Sequence, residues 1–261
     1  MERVRFINFP KILDERGNLS VVENGAALPF EIAGCAWLYD LRDGEKWQNK
    51  HLGGKDELII ALSGGFEITV NDGTDSKSFY LNRPYRALYV PKGLQWQMGN
   101  FTTNSVVFVL SAEKVANDGE SAADGSFGNK LVPLNEAPCL QGHITIVENG
   151  KSSPFNVKRV YYLYDVPAGE SRGAHAHKAL KQLVIAVSGS FNITLDDGTE
   201  KHLYTLNRPG EALEVGPGMW RTLDGFSSGA ICLVLASEVY TAEDYIRDYD
   251  EFLEYKKQKQ I

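Results

Sequence analysis

GESRGAHAHKALKQLVIAVSG, residues Gly169 to Gly189, is the stretch on which the fold turns. Its pattern is Gly169-(x5)-His175-x-His177-(x4)-Gln182-(x6)-Gly189. Residues two apart on a strand point to the same face of a sheet, so His175 and His177 project together, into the interior of whatever the strand helps to enclose. From Gln182 to Val187 the chain is rich in β-branched residues and ends on a Ser-Gly turn signal, which reads as the next strand.

Working outward, further short runs read as strands: Val157 to Val166, Ser190 to Asp196, Lys201 to Leu206 and Ala230 to Ala236. Asp197-Gly198 between two of them is a hairpin signal, because glycine accepts the positive φ such turns require. Many short strands with no helix between them predict an antiparallel sandwich or barrel. A barrel of this size encloses one small-ligand cavity. On the Val157–Val166 run the same parity puts Arg159 and Tyr161 on one face, with Tyr162 and Tyr164 on the other. The end of the chain has a different rhythm. Tyr245, Ile246, Tyr249, Phe252 and Leu253 fall at helical spacing, which predicts one amphipathic helix from Thr241 to Lys257 with Thr241 as N-cap and Asp244 three residues on.

The same features occur twice. An offset of 125 carries Glu23-Asn24-Gly25 to Glu148-Asn149-Gly150, Leu38-Tyr39-Asp40 to Leu163-Tyr164-Asp165, and Ser63-Gly64 to Ser188-Gly189. It also carries Asp72-Gly73-Thr74 to Asp197-Gly198-Thr199 and Leu81-Asn82-Arg83-Pro84 to Leu206-Asn207-Arg208-Pro209. A register kept this long means duplication. Lys114 to Asn129 is polar and Gly/Ser/Asp-rich, the composition of a linker. The reading is therefore two tandem domains, residues 1–113 and 131–261, joined by 114–130, with the helix on the second only.

Composition bounds the partners. With 43% hydrophobic and 23% charged residues the chain of 261 is that of a globular protein, long enough for two cores. Net charge is −7 and there is no basic tract, which argues against nucleic acid as a partner. Cys35, Cys139 and Cys232 are odd in number and far apart, so they read as buried thiols and not as a disulfide frame or zinc site. MERVRFINFP has no apolar signal core, and no run approaches the ~18 apolar residues of a membrane span, so a cytoplasmic protein without a membrane partner is expected.

Paired histidines beside arginine and tyrosine suit acid–base chemistry, since a free imidazole titrates near pH ~6.5. Core histidines merely satisfied by neighbours are the plainer alternative. Comparison of the copies weighs against it. At the offset of 125, Arg159 becomes Gly34, Tyr161 becomes Ala36, Arg172 becomes Trp47, His175 becomes Lys50, His177 becomes Leu52 and Arg221 becomes Trp96. Tyr164 stays tyrosine as Tyr39, and the turns persist. Change is concentrated at the inward positions, as expected if copy one has lost a site that copy two keeps. His51 in copy one is one place out of register and is expected to face the other side of its strand.

The His175–Gly189 spacing resembles the first motif of the cupin superfamily, with Gln182 where a metal-binding cupin has glutamate. A distorted second motif runs from Gly210 to Arg221, with Arg221 in the place of its usual histidine. Two of four ligands would remain, and a guanidinium cannot ligate, so no metal is expected. More specifically, RVYYLYDVPAGESRGAHAHK (Arg159 to Lys178) and SEVYTAEDYIRDYDEF (Ser237 to Phe252) are similar to the signatures of the WxcM-like cupins, a family that includes dTDP-4-keto-6-deoxyglucose 3,4-ketoisomerases. The resemblance covers the second copy and, more weakly, the first.

That resemblance implies two cupin jelly-roll barrels and a cofactor-independent isomerase acting on a dTDP-linked sugar in deoxysugar or surface-polysaccharide biosynthesis. It implies His175 as catalytic base, Tyr161 as proton relay and His177 as an accessory acid–base group. Arg159, Arg172, Gln182 and Arg221 are implied as substrate-binding residues. The family forms dimers with exchanged N-terminal strands, so either the fusion supplies that partner within one chain as a pseudo-dimer or the protein is a homodimer. The position of Arg221 is often histidine in that family, so the resemblance does not fix the configuration at carbon 4 of the product. Two rivals stay open: a nucleotide-sugar-binding cupin without turnover, and a metal-dependent cupin oxygenase or epimerase.

Overall fold

The structure, a computed structural model, describes residues 3–12, 14–26, 28–48, 55–114, 127–139 and 141–259. Asn49 to Gly54 and most of the expected linker fall outside the described residues, so the sequence expectations for Lys50, His51 and Leu52 do too. The five strands expected in the second copy are present within two residues of their predicted ends, at Arg159–Tyr164, Gln182–Ser188, Phe191–Asp196, Lys201–Leu206 and Ile231–Ala236. The Asp197-Gly198 turn joins the third to the fourth of these: Gly198 has φ +92°, and Asp197 Oδ1 accepts the amides of Thr199 and Glu200.

The chain forms two compact units, and they do not follow the linear boundaries at 113 and 131. The first comprises residues 1–11, 20–125 and 134–157, the second 12–19, 126–133 and 158–261. Each repeat thus lends a segment to the other unit.

In the first unit a seven-stranded sheet runs in the order Arg5–Asn8, Arg86–Val90, Glu57–Ser63, Val106–Ser111, Gly34–Tyr39, Gly142–Glu148, Asn135–Cys139. A four-stranded sheet runs Trp47–Gln48, Gln95–Gly99, Phe66–Asn71, Ser76–Leu81. Ala36, Ile59, Ile68, Val107, Trp47 and Trp96 belong to one buried core. The two tryptophans stand where the second copy has Arg172 and Arg221, so apolar side chains fill these two inward positions of copy one.

The second unit repeats the plan. Its larger sheet runs Leu131–Pro133, Glu211–Val215, Gln182–Ser188, Ile231–Ala236, Arg159–Tyr164, then Asn18–Glu23 and Lys11–Ile12, of which residues 12–19 belong to this unit. Its smaller sheet runs Lys201–Leu206, Phe191–Asp196, Trp220–Asp224, Arg172–His177, Tyr245–Ile246. Recorded pairings are antiparallel, and apolar residues from both sheets, among them Val184, Val234, Ile193 and Leu223, form one core. Each unit is a two-sheet jelly roll.

The borrowed segment is closely fitted. Asn18 Nδ2 donates to Asp165 Oδ2 at 2.9 Å, and Gly17, at φ +116°, lies so near Val166 that a Cβ would meet its Cα at 2.9 Å. Tyr162 and Tyr164, assigned by parity to the face away from the histidines, do take that face, yet both are buried.

The expected helix over Thr241–Lys257 is corrected. A 3-10 turn covers Ala242–Asp244, a short strand covers Tyr245–Ile246, and the α-helix is Tyr249–Lys259. Thr241 makes no side-chain cap. Asp248 does: its Oδ1 accepts the Glu251 amide at 2.9 Å. Ile246 and Phe252 still reach one apolar cluster with Ala176, so the burial that the spacing foretold is achieved by a strand followed by a helix. Among the described residues no helix is long and apolar enough to cross a membrane.

Candidate active site

The Arg172–His177 strand carries the two histidines. It pairs with Trp220–Asp224 on one side and with Tyr245–Ile246 on the other. Its register slips between Gly173 and His175, and the two residues at the slip have positive φ, +85° at Gly173 and +53° at Ala174. This is a β-bulge, which re-aims a side chain. Only glycine serves at 173: a Cβ there would lie 2.7 Å from the carbonyl oxygen of Arg221. Beyond the bulge the parity is regular. Ala176 faces outward under Ile246 and Phe252, and His175 and His177 share the opposite face, their rings 5.0 Å apart at 88°.

The bulge also fixes the His175 tautomer. Its Nδ1 lies 3.0 Å from the carbonyl oxygen of Gly173, which can only accept, so the proton sits on Nδ1. Its Nε2 is left with a lone pair, and Arg221 Nη2 donates to it at 2.9 Å. Burial and then the Arg221 charge pull the His175 pKa down to about 3, so the ring is neutral at physiological pH. His177 is 1% exposed and its Nδ1 lies 2.8 Å from Asp244 Oδ2. Burial, followed by Arg221 and His175, holds it below the usual imidazole range.

Tyr161 and Gln182 stand on two strands of the larger sheet that flank Ile231–Ala236 on either side. Gln182 Nε2 donates to the Tyr161 hydroxyl at 2.5 Å, and that phenol is also a hydrogen-bond partner of Arg221. Burial raises the Tyr161 pKa, so the phenol keeps its proton and is a donor. The Arg159 guanidinium lies 5.6 Å from the Tyr161 ring centre and 5.8 Å from that of Tyr240.

Six of the seven residues singled out from the sequence therefore form one connected cluster: Tyr161, Gln182, Arg221, His175, His177 and Arg159. The seventh, Arg172, is held elsewhere: its Nη1 is 3.2 Å from Asp14 Oδ2 on the borrowed segment, an ion pair without hydrogen-bond alignment. Within the cluster four buried atoms have no hydrogen-bond partner among the described residues: Arg159 Nε, Arg221 Nη1, His177 Nε2 and Gln182 Oε1. Buried polar groups are normally satisfied, so such a convergence is a mark of a ligand site. Among the described residues no three His, Cys, Asp or Glu side chains are grouped as a metal ion requires.

Sequence reasoning missed three neighbours of the cluster. Helical spacing puts Asp244 at a helix start and Tyr245 and Arg247 within the helix. Instead the Tyr245 ring lies 4.2 Å from that of His177 and 5.1 Å from that of His175, and Arg247 lies 4.4 Å over the Tyr245 ring. The only signal for them was the second family signature, SEVYTAEDYIRDYDEF, in which all three fall.

Known proteins agree with the repeat. The chain is 41% identical over 127 residues to the TDP-4-oxo-6-deoxy-alpha-D-glucose-3,4-oxoisomerase of Aneurinibacillus thermoaerophilus, a match covering 49% of this chain and 91% of that one. Among solved structures, a 3,4-ketoisomerase from Helicobacter canadensis is 44% identical, with 49% of this chain and 96% of that chain covered and a TM-score of 0.48. A TDP-quinovose 3,4-ketoisomerase from Campylobacter jejuni is 47% identical, with 48% and 96% covered and a TM-score of 0.46. The sequence model of one family matches twice, over residues 2–119 and 128–257. The chain thus belongs, in both of its tandem copies, to the FdtA family described as WxcM-like, C-terminal.

Proposed function

We propose that this protein is a sugar-nucleotide 3,4-ketoisomerase that moves the ketone of a dTDP-4-keto-6-deoxyhexose from carbon 4 to carbon 3, in deoxysugar biosynthesis. Family membership and the oxoisomerase activity named for its relative support the reaction class. The observation that carries it to this site is the set of four uncommitted polar atoms around a neutral imidazole pair and a protonated phenol.

The ketone on carbon 4 acidifies the hydrogen on carbon 3. His175 Nε2 takes that proton, and the C3–H electron pair becomes the double bond of an enediolate spanning carbons 3 and 4. Carbon 4 then receives a proton, the hydroxyl proton on oxygen 3 passes to oxygen 4, and the ketone is left on carbon 3. No electron is gained or lost, so the reaction asks for no redox cofactor. Tyr161, which keeps its proton, is the resting donor toward carbon 4, with His177 as the accessory group, and the proton held by His175 then returns to the phenolate so that both groups are restored. Arg221 must release Nε2 before His175 can act, and an anionic substrate oxygen competing for the guanidinium does this. Arg159 and Arg221 supply charge to the enediolate or the diphosphate, and Arg172 supplies it at the edge held by Asp14.

The test is incubation with dTDP-4-keto-6-deoxyglucose in deuterated buffer, read by NMR. The expected result is a new ketone at carbon 3, with deuterium entering the sugar. A positioned base is worth about 10²–10⁴-fold, so His175→Asn should slow the exchange by that factor while the fold is kept. Ligand shifts without a new ketone would make the protein a binding module, and unchanged exchange in folded His175→Asn would remove that residue as base.

A further inference from the structure

We propose that Asp244 is the positioning residue of this site: its carboxylate fixes the proton of His177 on Nδ1 and so presents the Nε2 lone pair to the cluster of Tyr161, His175 and Arg221. The use of that lone pair, as acceptor of a substrate hydroxyl proton, rests on the isomerase reading above. The fixing of the tautomer does not.

Asp244 ends the 3-10 turn that replaces the expected helix start. Its backbone carbonyl accepts the Lys178 amide at 2.9 Å, which ties the turn to the residue after His177. Its side chain is committed at both oxygens. Oδ1 accepts the Ala179 amide at 2.7 Å, and Oδ2 faces His177 Nδ1 at 2.8 Å. An acceptor-only group at that distance requires N–H on Nδ1. The ring is neutral, because it is buried among the Arg221, Arg159 and Arg247 charges and the His175 ring, with the Tyr245 ring packed against it and Asp244 the carboxylate facing it. A neutral ring protonated on Nδ1 has its lone pair on Nε2, and Nε2 is buried with no partner among the described residues.

The two imidazoles therefore differ in readiness. His175 leans on a neutral carbonyl and has its lone pair covered by Arg221. His177 leans on a carboxylate that can stabilise an imidazolium, and its lone pair is uncovered. The duplication supports a joint role. Copy one has Leu52 at the position of His177, and the linker that begins at Lys114 stands where copy two has the segment that carries Asp244.

Asp244→Asn tests the idea by chemistry and not by size. Its amide oxygen is drawn to the Ala179 N–H, which turns the amide NH2 toward His177 Nδ1. That nitrogen must then accept, and the ring proton moves to Nε2. The tautomer is read by imidazole ¹⁵N shifts in ligand-free protein, with the resonance assigned by its loss in His177→Gln. Nδ1–H in wild type, Nε2–H in Asp244→Asn, and a kcat lower by roughly 10²–10⁴-fold with KM little changed are expected. Nε2–H in the wild type overturns the proposal even if the variant does not fold, as does an unaltered tautomer or an unaltered kcat in a folded variant. If the wild type shows the Nδ1–H tautomer but does not turn over the keto-sugar, the isomerase reading fails and the positioning by Asp244 stands.

Discussion

His175 and His177 have the same side chain, and their different surroundings have a consequence for stability. An imidazole in the unfolded chain takes a proton near pH ~6.5, whereas His175 in the folded chain stays neutral down to about 3. Between those values the unfolded state binds more protons, so the contribution of His175 is present in full above pH ~6.5 and is lost as pH falls through that window. The urea midpoint of the wild type should therefore drop more steeply between pH 7 and pH 5 than that of His175→Gln, in which this proton uptake is gone. Parallel slopes would show that the ring is not held neutral by the fold. At this scale the sequence was informative where two residues on one strand were concerned, since parity alone placed both rings on one face. It was silent on tautomers, which depend on the Gly173 carbonyl for one ring and on Asp244, 67 residues away, for the other.

The element that aims His175 is the bulge, and the bulge depends on Gly173. Alanine there would have to adopt φ +85° and place its Cβ 2.7 Å from a backbone oxygen that cannot swing aside. Strain of this kind costs about 1–3 kcal/mol. Gly173→Ala is expected to lower the unfolding free energy of its unit by at least that much and to cut kcat more than tenfold, as measured by urea denaturation and by turnover of the folded protein. Full activity would mean that the aim of His175 does not depend on the bulge. A run of Arg-Gly-Ala-His in sequence does not announce a register slip, because the slip is set by the facing Trp220–Asp224 strand. The same limit explains the misread terminus. Tyr245, Ile246 and Phe252 satisfy helical spacing, but the backbone of Tyr245–Ile246 has an open strand edge at Ala176 and His177 to pair with, and the helix starts only where Asp248 caps it.

Across the whole chain the duplicated jelly roll has diverged in what fills it. Glu57, at the position of Gln182, accepts a hydrogen bond from Trp96 Nε1 at 2.6 Å, and Trp96 lies in the core of the first unit. Trp96→Ala should destabilise that unit by about 3–5 kcal/mol, the usual range for emptying a buried aromatic. Turnover per folded molecule should stay at the wild-type level, which a calorimetric melt beside the NMR assay would check. A loss of turnover without unfolding would give copy one a share in the chemistry. The sequence by itself determined the duplication, the antiparallel β class, the loss of the inward polar set in copy one and six of the members of the cluster in copy two. It could do so because local periodicity and a constant offset are properties of a single chain read in order. Only the tertiary structure decided that residues 12–19 and 134–157 change units, that Arg172 turns to Asp14, and that Asp244 backs His177. Each of these is a pairing between segments distant in sequence, chosen by which strand edge and which buried donor lacked a partner, and no local pattern records that choice.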